Sequence, residues 1–223
     1  MQDMDFAGIV RLISVLLIPV LFAITVHEVA HGWVARLLGD HTAERAGRLT
    51  LNPVKHIDPV GTVAVPLMLL LFSGGQMVFG WAKPVPVAFQ NLRNPRRDMI
   101  LVAAAGPISN LLMATGWAFL AALERSFLDL PGLAGTWAQG VCVAGILTNV
   151  VLAVFNLLPV PPLDGGRVLA GLLPPGGAML LHRIEPFGFL IVVVLMFTGI
   201  LWRLLEPFIF FFNDFFWSLA GFG

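Results

Sequence analysis

The sequence predicts an all-α polytopic membrane protein with about four to six membrane helices. Two observations carry that prediction. Of 223 residues, 58% are hydrophobic and only 12% are charged, where a soluble domain carries roughly 25% charged residues. The apolar residues also fall in long blocks, as bilayer-crossing helices require. A third observation sets chemistry in that frame. The stretch Thr25-Val26-His27-Glu28-Val29-Ala30-His31-Gly32 ends the apolar run from Leu12 to Val26, where charge is otherwise excluded. The 13 basic and 13 acidic side chains balance, which gives no basis for nucleic-acid binding. Cys142 is the single cysteine, so a disulfide framework and a thiolate metal cluster are both excluded.

Met1-Gln2-Asp3-Met4-Asp5 is acidic and lacks the basic n-region of a secretory signal, so the first helix is expected to be retained. That helix runs from about Phe6 to Leu38, with Pro19 as a kink and Gly39-Asp40 as its stop. A polar stretch follows, His41 to Asp58. Gly61 to Phe72 is an apolar run of only 12 residues, too short to span about 30 Å as a helix. With Ser73-Gly74-Gly75-Gln76 behind it, the segment to Ala82 reads as a re-entrant hairpin, a full crossing being the alternative. Lys83-Pro84-Val85-Pro86-Val87 cannot be a helix or a central strand, and suits an edge strand. Two spanning runs come next, Met99 to Leu123 and Gly140 to Leu158, joined by a short loop, Glu124 to Gln139. Pro159, Pro161 and Pro162 then break the helix just before Asp164-Gly165-Gly166. The last strongly apolar helix is roughly Phe187 to Trp202. A Phe-rich segment from Pro207 reads as interfacial, with Phe208 to Phe216 facing lipid.

Basic residues orient these elements. Four lie between Arg36 and Lys55 and four more between Lys83 and Arg97, so both stretches are expected to be cytoplasmic. The segment between them then enters and leaves on one side, and the N-terminus is extracytoplasmic. Under that topology Met99 to Leu123 and Gly140 to Leu158 cross out and back, returning Asp164 level with the histidines. A full crossing by the hairpin would put Asp164 on the opposite face.

On a helix, positions four apart differ by about 40° around the axis, so His27 and His31 project from one face toward one metal ion. Glu28, one step round, can hold the water that such a metal activates. A carboxylate at membrane depth costs on the order of 3 kcal/mol on insertion scales, so Glu28 needs a reason to be there. A catalytic zinc needs a third protein ligand and an open position. The chain has five histidines and few intramembrane carboxylates, and Asp164 is the best candidate. Read alone, Asp164 is a turn aspartate before Gly-Gly; beside HEVAH the ligand reading is favoured.

HEVAH inside a membrane helix, with Asn156-Leu157-Leu158-Pro159 and Leu163-Asp164-Gly165, resembles the site-2 protease family of intramembrane zinc metalloproteases. That family carries HExxH in one membrane helix and NxxPxxxxDG in a later one, and Asn156 to Gly165 matches the second pattern fully. Gly106-Pro107-Ile108-Ser109-Asn110 also resembles a family segment. The resemblance runs from about Leu12 to Arg167, and 46–59 and 83–87 resemble a small bacterial and archaeal branch. Many relatives insert a PDZ domain; the Glu124 to Gln139 loop is far too short for one.

The resemblance implies one integral membrane metalloprotease domain over 1–223, its three-helix catalytic core at about 6–167 and a C-terminal part at about 187–223. It implies that His27, His31 and Asp164 bind one zinc ion. Glu28 then activates the hydrolytic water and protonates the leaving amine, and Asn156 contacts substrate or the oxyanion. The implied substrates are single-span or signal-peptide-like proteins in the bilayer of the cell (inner) membrane, cut near the cytoplasmic face. The 83–87 edge is expected to pair with an unwound substrate. A transporter is the rival class, since intramembrane His, Glu and Asp also mark ion pathways, but no inverted repeat is visible. An idle scaffold has no need of Glu28.

Other polar residues have blander readings. Asn156 can instead bond a neighbouring helix. Asn110 reads as packing or loop fixation around Gly106-Pro107, and Thr148 and Asn149 as helix-packing groups. His41 and His56 read as interfacial hydrogen-bonding residues beside Asp40 and Asp58.

Overall fold

A computed structural model describes residues 6–72, 80–128 and 130–222. The acidic Met1–Asp5 stretch and the Ser73-Gly74-Gly75-Gln76 turn lie outside the described residues. Nine α-helices appear among those described. They are α1 (Phe6–Leu37), α2 (Thr42–Arg45), α3 (Val65–Phe72), α4 (Pro95–Leu123), α5 (Gly132–Asn156), α6 (Asp164–Leu172), α7 (Pro175–Ile184), α8 (Gly188–Phe197) and α9 (Ile200–Leu219). Four stretches are long and apolar enough to cross a membrane: Val10–Leu37, Pro95–Leu128, Gly132–Asn156 and Pro175–Phe197. The first runs unbroken through Pro19.

The frame of the molecule is α1, α4 and α5, which pack pairwise. Small side chains let them approach: Ala23, Ala35, Ala103, Ala114, Ala118 and Ala153 are all buried. Between membrane helices, where the bilayer is as apolar as the side chains, such close backbone contact is what holds the helices together. Helix α6 lies against α4, and α9 against α5 and α4.

The apolar run after Asp58 is helical, through Pro59–Ala64 and then α3. Asp58 caps its start, accepting from the backbone N–H groups of Val60 (2.9 Å) and Gly61 (2.7 Å). Beyond 79 the chain returns to that same place. Trp81 N–H donates to the Gly61 carbonyl at 3.0 Å, and the Thr62 hydroxyl donates to the Trp81 carbonyl at 2.8 Å. Both ends of the segment therefore lie together, the geometry of a hairpin rather than a crossing.

Residues 80–88 form a strap with no regular secondary structure, and no strand occurs among the described residues. The expected edge strand is thus absent as a strand. Its prolines drive Lys83 and Val85 toward extended backbone, yet Pro84 and Pro86 have no N–H to give a ladder, and no partner strand lies alongside.

Two other expectations change. The Glu124 to Gln139 loop is mostly helical: a π-turn spans Glu124–Leu128 and α5 begins at Gly132. Buried Glu124 ties this corner, accepting from Leu130 N–H (3.3 Å) and Gln139 Nε2 (3.0 Å). Helix α9 is not wholly peripheral either. Phe208, Phe210, Phe211 and Phe215 are exposed, but Phe216 is buried and Phe212 packs on the same core, with Leu201, Leu205, Ile146 and Val150.

Candidate metal centre

His27 and His31 stand one helical turn apart near the end of α1, both buried. Asp164 is the first residue of α6, also buried. It reaches the histidines because the chain doubles back after α5 through Pro159–Pro162. Gly165 and Gly166 permit that return by their size. A Cβ on Gly165 would collide with the Leu157 and Leu158 carbonyls, and one on Gly166 with the backbone at Val160 and Pro161.

Three polar atoms converge. His27 Nε2 lies 3.0 Å from His31 Nε2, and each lies 3.3 Å from Asp164 Oδ2. The outer ring nitrogens decide what this cluster is. His31 Nδ1 faces the Val102 carbonyl at 2.7 Å, and His27 Nδ1 faces Asn110 Oδ1 at 2.6 Å. Both partners are acceptors, so both Nδ1 atoms carry a proton, and a ring bearing that one proton aims its Nε2 lone pair inward. Asp164 Oδ2, buried and without a hydrogen-bond donor, adds a third acceptor. Three lone pairs pointed at one spot repel unless a cation lies among them.

The donor set of two imidazole nitrogens and one carboxylate oxygen is that of a catalytic zinc with one open position. Ligands at about 2.0–2.1 Å on a tetrahedral zinc stand roughly 3.3 Å from one another, close to the spacing observed here. His27, His31 and Asp164 also form the one group of three or more metal-ligating side chains gathered among the described residues.

Glu28, half-buried, turns toward the strap, and its Oε2 accepts the Val85 N–H at 2.7 Å. Gly32 allows that approach: a Cβ there would stand 2.6 Å from Leu49 Cδ2 and 2.8 Å from Val85 Cγ1. The strap is fastened by Asp40 at the end of α1, which is fully buried. Its carboxylate accepts from Ala88 N–H (2.7 Å), Asn91 Nδ2 (3.0 Å) and both the N–H (3.1 Å) and hydroxyl (2.5 Å) of Thr42. Burial alone would raise the Asp40 carboxyl, yet these bonds keep it below its ordinary value.

Residues 132–199 match Peptidase family M50. The "Putative zinc metalloprotease YwhC" of Bacillus subtilis is 40% identical over 200 residues, which is 87% of either chain. The chain belongs to Peptidase family M50. The "Putative zinc metalloprotease Rip2" of Mycolicibacterium smegmatis is 35% identical over 195 residues, 87% of this chain and 71% of that one. The Rip2 of Mycobacterium tuberculosis strain H37Rv is 33% identical over 194 residues, 87% and 70% of the two chains. No solved structure matches the chain.

In this M50 chain the structure brings His27, His31 and Asp164 together and sets Glu28 beside them. Asn156 ends α5, where its Nδ2 donates to the Leu152 carbonyl of its own helix at 3.0 Å. His41 pairs with Glu44 (2.8 Å) and buried His56 with the Thr50 carbonyl (2.9 Å), outside the cluster. Two residues act where sequence reasoning had seen packing or had assigned nothing. Asn110 lies within α4, not in a loop, and its oxygen serves His27. Gly106 faces both rings: a Cβ there would overlap His31 Nε2 and His27 Cε1. The signal for both was the Gly106-Pro107-Ile108-Ser109-Asn110 stretch, whose helical spacing of four puts glycine and asparagine on one face.

Proposed function

We propose that this M50 protein is an intramembrane zinc metalloendopeptidase that hydrolyses membrane-embedded peptide bonds near the cytoplasmic face. The observation that carries the reading is the convergence of Asp164 Oδ2 from α6 on His27 Nε2 and His31 Nε2, which project from an apolar helix that also bears Glu28. His27, His31 and Asp164 would hold the zinc. Bound there, the ion supplies a Lewis acid for the scissile carbonyl and lowers the pKa of water to around 7.

The remaining chemistry belongs to the chain. Glu28 takes a proton from the attacking water as the water oxygen bonds the carbonyl carbon. It then passes a proton to the departing amine nitrogen as the C–N bond breaks. The Val85 N–H on Oε2 sets the plane of that carboxylate. Asn156 serves the oxyanion by turning its amide from Leu152 toward the substrate. A substrate must unwind to enter, because helical carbonyls are already hydrogen-bonded, and the strap is the surface beside which an extended segment lies. Single-span and signal-peptide-like membrane proteins meet that requirement. The basic stretches 36–55 and 83–97 support a cell-membrane topology in which the site faces the cytoplasm and the N-terminus does not.

The test is cleavage of a co-expressed single-span substrate by wild type and by Glu28→Gln. Glutamine keeps the acceptor for Val85 but cannot take a proton. Cleavage is expected to fall roughly 10²–10⁴-fold with zinc content unchanged; equal cleavage by both proteins overturns the mechanism.

A further inference from the structure

What orients His27 is settled two residues deeper in the bundle, and its meaning rests on the zinc reading above. His31 faces a backbone carbonyl, which can only accept. His27 faces a side-chain amide, which can present either an oxygen or an NH₂ group. Asn149 of α5, fully buried, decides which. Its Nδ2 lies 2.8 Å from the Gly145 carbonyl, an obligate acceptor. Its Oδ1 is thereby turned to α4, where it accepts from Asn110 Nδ2 at 2.9 Å. The Ala23 carbonyl of α1 is a second obligate acceptor, 3.4 Å from that same nitrogen. With Nδ2 so committed, Asn110 can offer His27 only Oδ1. An acceptor there demands the proton on Nδ1 and leaves the Nε2 lone pair for the cluster.

We propose that Asn149 and Asn110 are positioning residues that fix His27 as its Nδ1–H tautomer and so deliver Nε2 to the metal, Asn149 acting through Asn110. The relay has one sense only, because its inner end is the Gly145 carbonyl, which can only accept. Without Asn149, only the longer 3.4 Å contact to the Ala23 carbonyl opposes a flip of the Asn110 amide that would present its NH₂ group to Nδ1. The ring would then carry its proton on Nε2, where the metal binds. A leucine at 149 keeps the γ-branched shape of asparagine, with bulkier ends, and loses the relay. An aspartate at 149, neutral in so buried a place, donates its O–H to the Gly145 carbonyl, still accepts from Asn110 and preserves its sense.

The test is zinc affinity by chelator competition on the purified full chain, with the visible spectrum of the cobalt-substituted protein as a second readout. Asn110→Leu is expected to weaken zinc binding by 10–100-fold and Asn149→Leu by roughly tenfold, with a shifted cobalt spectrum. Asn149→Asp is expected to stay near wild type. Wild-type affinity and an unchanged cobalt spectrum in Asn149→Leu overturn the relay, as does an equal loss in Asn149→Asp. Should Asn149→Leu not fold, ¹⁵N-histidine NMR of the wild-type protein decides: a proton on His27 Nδ1 is expected, and one on Nε2 overturns the proposal. A wild type that binds zinc no better than His31→Ala overturns the zinc reading itself, which separates that failure from failure of the relay.

Discussion

His27 and His31 are held from behind by atoms of α4, whereas Glu28 is held from in front by one backbone N–H of the strap. The first set of contacts belongs to the packed bundle. Val102 and Asn110 are buried in the middle of a long helix, and moving either means moving α4 against α1. The second belongs to a segment without secondary structure, fastened at intervals. Lys83 N–H donates to the His56 carbonyl (2.9 Å), Ala88 N–H to Asp40 (2.7 Å) and Arg93 N–H to the Leu38 carbonyl (3.0 Å). The difference divides labour. The geometry of the three clustered side chains is a property of the helix bundle, while the setting of Glu28 is a property of the strap. The function proposed above calls for that division, since a metal must stay in register while a polypeptide is admitted beside it.

The largest effect should come from disturbing the rigid side at its tightest point. Gly106→Ala thrusts a methyl group into both imidazoles. Zinc affinity should fall roughly 100-fold or more, beyond what loss of an outer hydrogen-bond partner causes. Chelator competition measures it, and wild-type affinity would mean that the rings are not pinned between α1 and α4. The strap side should behave otherwise. Val85→Pro removes the N–H that Glu28 accepts while leaving every ligand contact in place. Substrate cleavage should drop roughly tenfold, the worth of one hydrogen bond to a charged group, with zinc affinity unchanged. Val85→Ala, which keeps the N–H, should lose less. Zinc loss in Val85→Pro would show the two sides to be coupled.

That same division explains what could be read from the sequence. His27, Glu28 and His31 were legible because helical period alone puts them together, and Asp164 because prolines and glycines mark a return of the chain. The outer partners were not. A buried asparagine in a membrane helix has many possible neighbours, and only the packing of α4 on α1 selects His27 for Asn110. The strap was legible as extended chain, since proline fixes local conformation, but not as unpaired, since pairing depends on what lies alongside. Phe216 had a signal that its neighbours concealed. Leu201, Leu205, Ile209, Phe212, Phe216 and Ala220 recur at helical spacing and mark the buried stripe of α9, while the intervening phenylalanines make the helix look apolar all round.

The smallest effect should come from the strap's remote fastening. Asp40→Asn replaces an acceptor-only carboxylate with an amide whose NH₂ must face one of the donors of Thr42, Ala88 or Asn91. The loss should be about 2 kcal/mol of stability, measurable as a lowered unfolding temperature in detergent, with zinc affinity retained. The pH dependence gives a sharper test. The folded-state pKa of Asp40 is depressed below its ordinary value of 3.8. Its contribution is therefore complete above that value and fades as pH falls through the lower, folded one. Unfolding temperature should decline on acidification below about pH 4 in wild type, and the decline should be shallower in Asp40→Asn, which has no such proton to take up. Glu44 serves as the control, because its carboxyl is also lowered, chiefly by its hydrogen bond to His41, yet it lies on the exterior. If Glu44→Gln flattens the acid limb as much as Asp40→Asn does, the strap is not fastened mainly at Asp40. If neither changes it, the acid limb is set outside the strap's fastening altogether.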